Sequence, residues 1–148
     1  MFSGMDISAS ALTSQRLRMD VTSANISNAD TTRGRLVDGE WEPYRRKMVH
    51  MQSDGEGSRF QHHLHRAAQG QDPHGVRINQ IIEDETPFEQ QYNPDHPDAD
   101  EDGYVAMPNV DPLKEMVDLM GATRSYEANV TALDAHKGML MRALEIGR

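Results

Sequence analysis

The chain has 148 residues and a formal net charge of −9, with 15 lysines and arginines against 24 acidic residues. That balance argues against a nucleic-acid binder, which needs a basic face to neutralise phosphates. Hydrophobic residues at 36% and aromatics at 5% are thin for a self-contained core, and the absence of cysteine excludes disulfides and thiolate zinc sites.

At the N-terminus no basic stretch leads into an apolar run of roughly 7–15 residues, so no cleaved secretory signal is expected. No segment approaches the ~20 apolar residues that cross a bilayer, so no membrane insertion is expected either. If the protein leaves the cytoplasm, the route reads no signal of that kind.

Met5, Leu12, Met19 and Ile26 recur every seven residues and predict a first helix with a narrow apolar seam. It is expected to begin near Asp6 or Ser8, either of which can cap exposed backbone N–H groups, and to run to about Asn28. The turn-forming stretch Asn28-Ala29-Asp30-Thr31-Thr32-Arg33-Gly34 then stops it. Gly39 marks another turn, and Pro43 through Met51 reads as an exposed strand of imperfect alternation. Ser53 to Ser58 is a flexible loop by composition. Phe60 to Asp72 shows no period. Gly75 through Ile82 is the best strand candidate, with Val76, Ile78 and Ile82 on one face and Arg77 and Asn79 on the other. Tyr92 through Pro108 carries Pro94, Pro97 and Pro108 and reads as extended or looped.

The second helix has a clear start, with Asp111 as N-cap and Pro112 in the first turn, and Gly147 lies just past its end. Met116, Leu119, Thr123, Tyr126, Val130, Leu133, Lys137, Leu140 and Leu144 follow alternating steps of three and four, the pattern of a helix that packs on helices. About 35 residues at 1.5 Å each make a rod roughly 50 Å long, which a chain of this size has no globular core to cover. The partner is expected to be the other terminus, other subunits, or both. Thr123 and Lys137 interrupt the seam, either fixing register or, for Lys137, laying its stem over the seam with the ammonium in water. Gly121 and Gly138 each cost up to about 1 kcal/mol inside a helix, and close packing is the expected reason for them. The ten methionines either fill irregular helix-packing gaps or simply stand in for leucine. The expected fold is mainly α: paired, coiled-coil-like terminal helices (1–33 and 109–148) around a small β-rich or irregular insert (34–108).

Few clusters suggest chemistry. Asp98-Ala99-Asp100-Glu101-Asp102-Gly103-Tyr104-Val105 matches the opening half of a calcium loop, in which alternating carboxylates converge on a hard cation and Gly permits the turn. The twelfth position, normally a bidentate Glu, is Asn109, and the ordinary alternative is a solvated acidic turn held by Asx-type hydrogen bonds. His62, His63 and His65 suggest a metal tract only if distant ligands join them. Arg45-Arg46-Lys47 reads as a solvated basic face, or one that pairs with acidic surface on a neighbouring subunit. No G-x-S-x-G, Gly-rich phosphate loop or H-E-x-x-H occurs, so no catalytic residue, cofactor or metal is assigned and no enzyme is expected.

Longer motifs are more specific. Ile7-Ser8-Ala9-Ser10-Ala11-Leu12-Thr13-Ser14-Gln15-Arg16-Leu17-Arg18-Met19-Asp20-Val21, continuing through Ala24-Asn25-Ile26-Ser27-Asn28, resembles the N-terminal signature of bacterial flagellar rod and hook proteins. Met107-Pro108-Asn109-Val110, Glu115 to Met120, Ser125 to Val130 and the closing Leu144-Glu145-Ile146-Gly147-Arg148 resemble the matching C-terminal signature. Within that family the short length and the segment His96 to Val105 resemble the proximal-rod type. At Ser27-Asn28-Ala29-Asp30 the usual Ala/Asn pattern is altered.

The resemblance implies a structural component of the basal-body rod in the periplasmic space, exported through the flagellar type III apparatus without a cleaved signal. Its partners would be copies of itself and other rod proteins, with the terminal helices as an inner tubular layer and the middle facing outward. Met5, Leu12, Met19, Ile26, Met116, Leu119, Tyr126, Val130, Leu133, Leu140 and Leu144 are the candidate assembly residues. The alternatives are another rod or hook component with the same ends, or a calcium-responsive module built on Asp98 to Asp102.

Overall fold

In the computed structural model, residues 3–53 and 75–147 are described. The chain begins in helix α1 (Ser3–Ser27), passes through strands β1 (Arg35–Val37), β2 (Glu40–Glu42), β3 (Lys47–Ser53), β4 (Val76–Glu83), β5 (Glu89–Tyr92) and β6 (Tyr104–Met107), and ends in helix α2 (Pro112–Ile146). An N-terminal and a C-terminal helix thus flank a small β-containing middle, as expected. The strands pair as β1–β2, β3–β4 and β5–β6, three separate two-stranded sheets.

Local chemistry sets most of the boundaries. α1 starts earlier than expected, at Ser3, and stops at Ser27, where Asn28 donates its side-chain amide to the Ala24 carbonyl at 2.8 Å. Asp111 Oδ1 accepts the N–H groups of Leu113 and Lys114 at 2.9 and 3.4 Å, so the N-cap expected for α2 is in place. Sequence periodicity missed the β1–β2 hairpin. Its two-residue turn, Asp38-Gly39, has positive φ at both positions (52° and 94°), the backbone that matches strand twist and that Asp-Gly favours. Leu36 and Trp41 face each other across it, both exposed. Just before it, a Cβ on Gly34 would lie 2.6 Å from the backbone nitrogen of Tyr44, so only glycine fits. The stretch from Tyr92 to Pro108, expected as extended or looped, contributes the end of β5 and all of β6 with a loop between them. Tyr92 pairs with Tyr104, their rings edge to face with centroids 5.3 Å apart. Short strands with open edges leave too little alternation for a period to register. The His62, His63 and His65 tract lies outside the described residues, as does the expected loop from Ser53 to Ser58 except for Ser53, which ends β3.

The chain divides into two compact units. One comprises residues 1–17, 50–80 and 122–148, the other 18–49 and 81–121. In the first, the Ser10 hydroxyl accepts the N–H of Val76 at 3.1 Å and the Ser14 hydroxyl lies 3.4 Å from the Val76 carbonyl, so α1 serines satisfy the backbone at the start of β4. The second holds a polar node between α1, β3 and α2.

Very little of this is an oil core. Among the described residues, prolines aside, the buried apolar side chains are Val105 (2% exposed) and Ala122 (1%), whereas Ser8, Ser14, Thr22, Asn25 and Glu115 are buried polar ones. The inward line of α1 is therefore small and polar.

Candidate functional site

Asn25 and Glu115, each 1% exposed, lie at the centre of the node. The Asn25 side chain makes all four hydrogen bonds available to a carboxamide. Its Nδ2 donates to the Lys47 carbonyl at 2.8 Å and to Glu115 Oε2 at 3.0 Å. Its Oδ1 accepts the Lys47 N–H at 2.9 Å and the Tyr44 hydroxyl at 3.1 Å. One helix residue thereby pairs with the first residue of β3 as a neighbouring strand would, and with the first turn of α2.

Glu115 completes the arrangement through its other oxygen. Oε1 accepts Arg46 Nε at 2.7 Å and lies 2.6 Å from Arg46 Nη2. The Arg46 side chain, 12% exposed, also faces Asp84 at 3.5 Å and Asp118 at 3.7 Å, and Arg18 reaches Asp118 at 3.5 Å. Asn109 binds the Arg46 N–H through Oδ1 at 2.8 Å and donates to the Asp84 and Thr86 carbonyls. Three carboxylates thus share two guanidinium groups. A buried carboxylate is tolerable only with such pairing, and removing one partner of such a pair costs about 3–5 kcal/mol.

These charges perturb one another. Burial, then the negative charge of Glu115, pushes the Tyr44 phenol above its usual range. The Thr86 hydroxyl and N–H bound to Asp84, reinforced by Arg46, hold that carboxyl below the ordinary carboxylate range. Arg33 and the Thr32 hydroxyl do the same for Asp98.

Part of the expected basic face is accordingly corrected. Arg46 is no solvated cation, because it is the counter-ion of Glu115. Its neighbours are also engaged: Arg45 lies 4.5 Å over the Phe88 ring and Lys47 5.6 Å over Tyr44. At the acidic turn, Asp98 is taken up by Arg33 and Thr32, and Asp100 Oδ1 accepts the N–H groups of Asp102 and Tyr104. Those carboxylates are held in turn and ion-pair contacts rather than converging. No group of three or more His, Asp or Glu able to hold a metal occurs among the described residues.

The candidate assembly residues fall into two sets. Met5, Leu12, Met19 and Ile26 on α1, and Leu119, Tyr126, Leu133 and Leu140 on α2, are half-buried. Met116, Val130 and Leu144 are exposed, as are the interrupting Thr123 and Lys137. Among the described residues a Cβ on Gly121 or Gly138 would meet nothing within 4 Å, so packing among them explains neither glycine. Sequence reasoning missed Asn25 and Glu115. The available signal was positional: each stands immediately before a seam residue, Ile26 and Met116.

Comparison with known proteins gives the class of this chain. Residues 5–34 match the family model described as "Flagella basal body rod protein", and residues 101–146 match "Flagellar basal body rod FlgEFG protein C-terminal". The flagellar basal-body rod protein FlgC of Bacillus subtilis (strain 168) is 56% identical over 147 residues, covering 99% of this chain and 98% of the relative. That of Salmonella typhimurium is 41% identical over 143 residues (97% and 95%), and that of Borreliella burgdorferi 39% over 155 residues (99% and 97%). The chain belongs to the FlgC family of flagellar basal-body rod proteins.

Proposed function

We propose that this protein is a non-enzymatic structural subunit of the proximal rod of the bacterial flagellar basal body, joining the tubular axial shaft through its two terminal helices. Family membership supports the assignment. The observation that carries the mechanism is the exposure of Met116, Val130 and Leu144 along α2, where the described residues bury so little apolar surface of their own. Fully burying such a side chain contributes about 1.5–3 kcal/mol, so neighbouring subunits that cover this line stabilise helix and contact together.

In this reading α1 and α2 pair in coiled-coil fashion in the inner layer, residues 34–108 face outward, and the partners are further copies and other rod proteins. A contact that relates each copy to the next by rotation and rise propagates as a tube rather than closing. The chain reaches the periplasmic space through the flagellar export apparatus. Outside the assembly the helical ends, with few apolar contacts of their own, are partly frayed and gain helix on joining.

The test is to place Glu at 116, 130 and 144 together. Because these side chains point outward, the isolated variant keeps its helical circular dichroism while rods and motility are lost. A motile strain carrying all three substitutions overturns the mechanism.

A further inference from the structure

The first turns of α2 are inverted for a lone molecule. The side facing the rest of its unit carries Glu115 at 1% exposure, while Leu113, Met116, Val117 and Met120 are 53–75% exposed. At 3.6 residues per turn those four lie about 100–160° around the axis from Glu115, so one stripe faces directly or obliquely away from the node. Hydrophobic burial alone would roll the helix the other way, apolar stripe inward and carboxylate to water. The bonds that oppose this roll are Asn25 Nδ2 to Glu115 Oε2 and Arg46 to Glu115 Oε1, at 3.0 and 2.7 Å.

The geometry points to the Asn25–Glu115–Arg46 node as a rotational lock that holds the Leu113–Met120 stripe outward. Glu115 is a positioning residue: buried at 1% exposure, it sets which face of α2 is turned outward. Turning the helix strips Glu115 of a cation and a carboxamide at once, and this opposes the gain from burying the stripe. The lock deepens the assembly reading above, but its test is made on the unassembled chain and stands whether or not that reading does.

Because the protein has no cysteine, single thiols report the rotation cleanly. Val117→Cys reports the outward face and Ala122→Cys, at a position 1% exposed, the inward one. In an otherwise unchanged chain the 117 thiol reacts rapidly with a maleimide and the 122 thiol slowly. With Glu115→Leu added, the 117 thiol slows and the 122 thiol quickens, each by about tenfold, the change expected when a site passes between exposed and protected states. Unchanged rates at both positions, with helical circular dichroism retained, overturn the lock. If Glu115→Leu loses its helix, the same rates are read in Glu115→Gln, which keeps the volume but not the charge. There, a narrowed difference between 117 and 122 supports the lock, and an unchanged one overturns it.

Discussion

Asn25→Ala tests the node at its centre. The substitution removes four hydrogen bonds and leaves the Lys47 N–H and carbonyl, the Tyr44 hydroxyl and Glu115 Oε2 each without that partner. Each unsatisfied buried group costs about 1–3 kcal/mol, and Glu115 keeps Arg46 while water entering the small vacated space recovers part of the loss, so the net cost is about 3–5 kcal/mol. For a chain of this size each kcal/mol moves Tm by roughly 2–4 °C, so Tm falls by about 6–20 °C. Trp41, the single tryptophan, lies in the same unit and reports its unfolding by fluorescence. Ser23→Ala, on the exposed side of α1, is the control and leaves Tm within about 2 °C. Asn25→Asp is worse than alanine at neutral pH, since it sets a second carboxylate against Glu115, and the gap closes as pH falls. If Asn25→Ala and Ser23→Ala unfold at the same temperature, the four bonds to Asn25 do not hold this unit together.

Asp111→Ala removes the side-chain cap from α2, costs about 1 kcal/mol and speeds amide exchange at Leu113 and Lys114; unchanged exchange there contradicts the cap. Gly121→Ala raises the helical stability of the free chain by about 0.5–1 kcal/mol, because the added methyl meets none of the described residues within 4 Å, yet it impairs rod assembly; normal assembly makes the glycine incidental. On the acid side, Asp84 and Asp98 have folded values below their unfolded ones, so the folded state binds fewer protons through the carboxylate range and stability rises with pH there. Their contribution is present above the unfolded value of about 3.9 and is lost as pH falls through the lowered folded values. Thr86→Val weakens that dependence by removing the hydroxyl bonded to Asp84, and denaturation midpoints across a pH series check the slope.

The helices were legible because they obey one-dimensional rules: Asp111-Pro112 starts α2, and the Asn28 to Gly34 stretch ends α1. The strand through Val76 was legible for the same reason, its alternation being local. β1, β2, β5 and β6 were not, because three or four residues hold too few alternations. Their pairing rests on turns such as Asp38-Gly39 and on close approaches such as Gly34 to Tyr44. The node was invisible for a different reason. Asn25, Arg46 and Glu115 are far apart in sequence, and each read alone is an ordinary surface residue. Only the fold converts Arg46 from a solvated cation into the counter-ion of a buried carboxylate. The seam at Met116, Val130 and Leu144 was legible as a period, whereas the exposure of these three side chains shows only in the fold.

Whether neighbouring subunits cover the α2 seam is read by hydroxyl-radical footprinting of Met116, Val130 and Leu144 in the free chain and in isolated basal bodies. All three are readily oxidised in the free chain and protected roughly tenfold in the rod, as expected for side chains passing from exposed to buried. Equal reactivity in the two states would mean that assembly leaves the seam bare, against the mechanism proposed for this subunit.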